Sequence, residues 1–151
     1  MSNLYFEDLE VGEEWEHGSY TLTQEEILEF AERYDPQPFH TDEEAAQDSI
    51  YGGLIASGWH TASVAMRMYV EGFLNDTACM GSRGVDKLRW HRPVRPGDTL
   101  SVRVEVLDKE DERNPNLGLV HIDIDVENQD DEVVMSMIGL MLMERREPSN
   151  S

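Results

Sequence analysis

Two hydrophobic periods divide the chain. Up to about Met80 the apolar residues recur at helical spacing, and beyond it they alternate with a period of two. Thr23 followed three residues later by Glu26 is a capping-box pattern. It predicts a helix through EEILEFAERY, with Ile27, Leu28, Phe30 and Ala31 on one apolar side. That helix must stop near Tyr34, because Pro36 pushes Asp35 out of the α region. A short acidic helix, DEEAAQDS, follows Thr41, whose hydroxyl can cap it. A Gly52-Gly53 turn then leads into LIASGWHTASVAMRMYVEGFL, Leu54 to Leu74. This stretch is apolar nearly all round, which predicts a long helix buried on most sides.

Four strands are predicted after Met80: VDKLRWHRPV, TLSVRVEVLDK, GLVHIDIDVEN and EVVMSMIGLMLMERR. PGD, NPNLG and NQDDE are the turns between them. SVRVEV and HIDIDV alternate as half-solvated antiparallel strands do. Val133 to Met143 is apolar on both faces, so it is expected as a central strand or at a subunit interface. A further strand is expected around HGSYTL. An antiparallel sheet curled around one long helix satisfies this order, an α+β architecture. Residues 1–146 are read as one domain and 147–151 as a frayed tail.

Composition narrows the function. A chain of 151 residues with 39% hydrophobic content can bury one proper core. Its single cysteine, Cys79, permits no internal disulfide, and the N-terminus shows neither a basic nor an apolar leader segment. A cytoplasmic protein is therefore expected. The net charge of −20 argues against nucleic acid and against an anionic membrane surface. A membrane span over Leu54 to Leu74 is disfavoured by His60, Arg67 and Glu71 within it. Only Lys87 and Lys109 among the twelve basic residues are lysines. So acidic a domain repels itself unless concentrated salt screens the charge, and a high-salt, halophilic setting is expected.

The candidate chemistry lies in two segments. In RYDPQPFHTDEEAA, Asp35 and His40 are separated by Pro-Gln-Pro-Phe. The two prolines stiffen the intervening loop. A carboxylate and an imidazole sharing one water can deprotonate it on one side and deliver a proton on the other. The same residues also suit a helix terminator and a structural histidine, and spacing alone does not separate the two. In GGLIASGWHT, a glycine turn feeds the N-terminus of the long helix, where free N–H groups and the positive end of the dipole lie. Gly58 is the best donor there for a thioester carbonyl. Close packing of helix on sheet is the alternative use of Gly52, Gly53 and Gly58.

DPQPFH followed by GGLIASGWHTAS resembles the MaoC-like (R)-specific enoyl-CoA hydratases. Tyr34, Asp35, Gln37, Pro38, Phe39, His40 and Ala46 fall in register with that family's first motif, an Asp-x-Asn-Pro-Leu-His sequence followed by a small residue. Ala56-Ser57-Gly58-Trp59 falls on its second block, and RWHRPVRPGDTL is similar to its strand-turn-strand. The likeness covers nearly the whole chain. It implies a hotdog fold, an antiparallel sheet wrapped around one helix, and reversible hydration of trans-2-enoyl-CoA to (R)-3-hydroxyacyl-CoA. It implies Asp35 as base on water, His40 as proton donor to the α-carbon, and the Gly58 N–H on the thioester oxygen. Gln37, Tyr34 and Ser57 stand where the family usually has Asn, Gly and His, which bears on substrate preference more than on activity.

Gln37, Phe39, Ser57 and Trp59 are the expected substrate contacts. Coenzyme A is anionic, and six of the twelve basic residues fall between Arg83 and Arg103. Arg92 and Arg95, near the proline-rich turn, are the candidates for its phosphates. His60 could line the site or pack inside. No Cys or His cluster has metal-ligand spacing, so neither a metal nor a cofactor beyond the substrate's coenzyme A is expected. A lone hotdog leaves a sheet edge open, which implies a homodimer and allows a hexamer of dimers. A hotdog acyl-CoA thioesterase and a non-catalytic acyl-CoA binding protein are the competing functions. Glu71, the helix's single carboxylate, lies far from Gly58 and fits the thioesterase less well.

Overall fold

The computed structural model describes residues 3–150. Its strands are β1 (Glu14–Thr21), β2 (Cys79–Trp90), β3 (Thr99–Asp111), β4 (Leu117–Glu127) and β5 (Val133–Glu144). Its helices are α1 (Gln24–Tyr34), α2 (Pro38–Thr41), α3 (Glu43–Gln47) and α4 (Gly58–Gly72). The strands form one sheet in the order β1-β3-β4-β5-β2, every neighbouring pair antiparallel. The sheet curls around α4, the hotdog arrangement that the resemblance implies.

Alternation builds the core. Val102, Val104 and Val106 of β3 and Val120, Ile122, Ile124 and Val126 of β4 are buried, with polar residues between them. They face Val64, Ala65, Met68 and Tyr69 of α4. The strand β5 lies between β4 and β2, and its outward side chains Ile138, Leu140 and Leu142 are apolar and half-buried. The helix sits tightly on β1: Gly18, at a register shift with φ +98°, leaves space that a Cβ would fill 2.4 Å from the Met68 sulfur.

Local signals placed α1 correctly. Thr23 Oγ1 accepts from the Glu26 N–H at 3.1 Å, and the Glu26 carboxylate accepts from the Thr23 N–H. Three boundaries differ from the sequence expectation. Asp42, not Thr41, caps α3, its carboxylate accepting from the Glu44 and Ala45 N–H groups at 2.9 and 3.2 Å. Thr41 instead closes α2, donating to the Gln37 carbonyl. The long helix starts at Gly58 rather than Leu54, because the chain before it is bonded elsewhere. Ile55 N–H donates to the Phe39 carbonyl and Ala56 N–H to that of Val94, at 3.2 and 2.8 Å. Finally, β2 begins at Cys79 and ends at Trp90, paired with β5 through three irregularities, at Gly81, at Gly84 and between Asp86 and Arg89. The HRPV segment leaves the sheet, with His91 and Arg92 N–H groups both directed to the Val134 carbonyl.

The C-terminal segment expected to fray carries hydrogen bonds. Glu147 N–H reaches Glu7, and Ser149 N–H donates to the Pro115 carbonyl at 2.8 Å. Among the described residues no helix is long and apolar enough to cross a membrane.

Candidate active site

The end of α1 delivers Asp35, and the one-turn helix α2 delivers His40. Asp35 caps α1 through its N–H to the Ala31 carbonyl at 2.8 Å, with φ −154° and ψ 68°, outside the α region that the following proline disfavours. Pro38 then starts α2, fixing the backbone of its first turn. His40 consequently points inward and is only 5% exposed. Its Nδ1 lies 2.8 Å from the Ile55 carbonyl oxygen, which can only accept, so Nδ1 carries a proton. That leaves Nε2 facing Asp35 Oδ2 at 3.4 Å.

The carboxylate of Asp35 is held from two further sides. Gln37 donates to Oδ1 and Ser57 to Oδ2, each at 2.7 Å. Burial by itself would push this carboxyl up. The hydrogen bonds from Ser57 and Gln37, together with the charge of His40, outweigh it and hold the group below its ordinary value. Asp35 is thus an anion with fixed geometry.

Ser57 also caps α4, accepting from the Trp59 N–H at 3.3 Å. The next residue, Gly58, has its N–H at the positive end of the helix, where the first amides lack intrahelical acceptors. Trp90 explains why glycine stands here. Its indole donates to the Gly58 carbonyl at 2.9 Å, and a Cβ at residue 58 would lie 2.5 Å from the Trp90 ring.

A cavity of about 460 Å³ opens between these parts. Asp35, Gln37, Phe39, His40, Gly58, Trp59 and Arg92 all line it, so the structure brings together most of the residues singled out in the sequence. Two stand apart from its wall. Ser57 is fully buried behind Asp35. Arg95 donates from its guanidinium to the Tyr51 carbonyl at 2.6 Å and from its backbone to Asp98. Arg92 reaches Glu132 at 3.0 Å while remaining more than half exposed. His60 packs inside, stacked on Phe30 at 4.7 Å, and burial pushes its pKa down against the opposing pull of Glu26.

Sequence reasoning missed Tyr51, Thr61, Trp90, His91 and Val94, which also belong to the wall. Thr61 was within reach, lying three residues after Gly58 on the same helix face. Trp90 is the last residue of β2 and Val94 follows it, and no local pattern announces that they return to the head of α4.

Comparison with known proteins bears on the chemistry. Residues 8–128 match the family described as MaoC like domain. The MaoC-like dehydratase of Rhodospirillum rubrum has a similar structure, with a TM-score of 0.90 and 39% identity, covering 96% of this chain and 99% of that one. The protein YdeM of Bacillus subtilis is 32% identical over 127 residues, 83% of this chain and 89% of its own. The 3-hydroxybutyryl-CoA dehydratase of Methylorubrum extorquens is 34% identical over 111 residues, 73% of this chain and 68% of its own.

Proposed function

The chain belongs to the MaoC-like domain family, and on that premise we propose that it reversibly hydrates a trans-2-enoyl-CoA to the (R)-3-hydroxyacyl-CoA. The observation that carries the proposal is the Asp35–His40 pair, held 3.4 Å apart on the wall of a cavity that also presents the head of α4. A water between the two gives one proton to Asp35 while its oxygen attacks the β-carbon. Charge moves onto the thioester oxygen, where the Gly58 N–H and the helix dipole stabilise it. In this step His40 acts from its doubly protonated form: Nδ1 keeps its proton on the Ile55 carbonyl, and the Nε2 proton passes to the α-carbon. Asp35 then holds one proton more and His40 one fewer, and transfer between the adjacent groups restores both.

The other side chains have supporting roles. Gln37 and Ser57 keep the carboxylate ionised and aimed, so Ser57 serves the site from behind rather than by touching substrate. Phe39 and Trp59 offer apolar walls to the acyl thioester. Arg92 stands at the cavity with an exposed guanidinium, suited to a coenzyme A phosphate. Arg95 is committed to the Tyr51 carbonyl and contributes by fixing that turn.

A second copy fits the open edge. Strand β2 ends the sheet, and Met80, Val85 and Trp90 on it are exposed apolar residues. We infer a homodimer joined near this edge, with the cavity mouth beside the joint.

The test is a mixture of purified protein with crotonyl-CoA in molar KCl. Loss of the enoyl-thioester absorbance without thiol release, abolished in Asp35→Asn, is the expected result. Thiol release would make the protein a thioesterase, and silence across several acyl chains would make it a binding protein. Sedimentation of the same sample is expected to give a dimer, and a fully active monomer would overturn that inference.

A further inference from the structure

Strands β3 and β4 carry a second carboxylate–imidazole group, which the hydratase reading leaves unused. Val102, Val104 and Val106 of β3 point into the core, so strict alternation would send Asp108 and Glu110 inward as well. The register slips between Val106 and Asp108 instead. Leu107 takes the extra position, and beyond it Asp108 and Glu110 face outward. Lys109, between them, turns the other way and lies 4.4 Å from the centroid of the Phe6 ring. His121 stands opposite Asp108 on β4, flanked by the buried Val120 and Ile122.

The ligand-type atoms of Asp108, Glu110 and His121 all lie within 4.8 Å of one another. His121 Nε2 bonds the Glu110 carboxylate, and Asp108 is oriented by the Lys109 N–H at 2.8 Å. None of the three lines the catalytic cavity. We propose that they form a binding site for a divalent transition-metal cation of the zinc, nickel or manganese class. A proton on His121 offsets only one of the two carboxylate charges, whereas a divalent ion offsets both. The imidazole nitrogen favours such ions over magnesium or calcium, which prefer all-oxygen ligands. Donors around one ion at ~2.1 Å stand about 3.4 Å apart in a tetrahedron, so the farthest pair of this set must close by at most about 1.4 Å, within reach of side-chain rotation. Local spacing could not reveal the set, because antiparallel pairing brings residue 121 beside residues 108 and 110.

The experiment is calorimetric titration of the chelator-treated full chain with zinc, in molar KCl and excess magnesium so that diffuse binding to the acidic surface is already saturated. One equivalent is expected to bind and to raise the melting temperature. His121→Gln and Asp108→Asn should each weaken that binding by roughly tenfold or more, since losing even an outer-shell partner costs that much. Their metal-free melting temperatures should match wild type. No uptake, or equal affinity in both variants, would overturn the proposal. Should a variant fail to fold, broadening of the wild-type His121 imidazole resonances by manganese reads the same question, and unbroadened signals overturn it.

Discussion

Two carboxylate–imidazole pairs in this protein use the same residue types and differ in nearly everything around them. Asp35 and His40 lie five residues apart in sequence, and each is fixed by additional partners: Gln37 and Ser57 on the carboxylate, the Ile55 carbonyl on the ring. The exposed Glu110 and the half-buried His121 meet across two strands on the outer face of the sheet. In the first pair the surrounding donors decide which atom is charged and where the lone pairs point. In the second, solvent shares that task, and the excess negative charge invites a cation. Chemistry at a pair of side chains follows from the groups that constrain it more than from the pair itself.

The largest expected effect separates the two histidines. His40→Ala should lower crotonyl-CoA turnover by ~10²- to 10⁴-fold, the usual worth of a general acid–base group, while His121→Gln should leave it unchanged. Equal losses would mean that the pairs are not functionally distinct. A smaller effect concerns the support of Asp35. Its carboxyl is held below the ordinary range, so activity that needs the anion should fall only as pH drops through that lowered value. Ser57→Ala removes a donor to the charged form, which raises the Asp35 pKa and moves the acid limb of the rate profile to higher pH. An unmoved limb would show that Ser57 does not tune the base. The smallest effect is on stability. Raising KCl from low to molar concentration should lift the melting temperature gradually as repulsion across the −20 surface is screened. A flat dependence would remove the high-salt reading, and Glu110→Gln should reduce the salt dependence more than Asp35→Asn does.

Much of the fold was legible because its signals are local. The Thr23–Glu26 capping box, the Asp35-Pro36 stop and the alternation through HIDIDV each depend on a few adjacent residues. The first motif of the site was legible for the same reason, since prolines at 36 and 38 set the path between Asp35 and His40. The start of α4 was not. Leu54 to Ala56 have helical composition, yet the Ile55 and Ala56 amides are drawn to the Phe39 and Val94 carbonyls, partners distant in sequence. Trp90 escaped notice because only the return of β2 to the head of α4 gives it a role, filling the space above Gly58.

The sequence by itself thus determined most element types, the acidic character and the candidate pair Asp35 and His40, all set by neighbours along the chain. Tertiary structure alone decided that Ser57 stands behind Asp35 rather than in the cavity, and that Arg95 holds a turn while Arg92 stays available. It also decided that a bulge at Leu107 turns Asp108 and Glu110 outward to His121. The physical reason is common to these cases: each depends on the register between segments that meet only when the sheet closes around the helix.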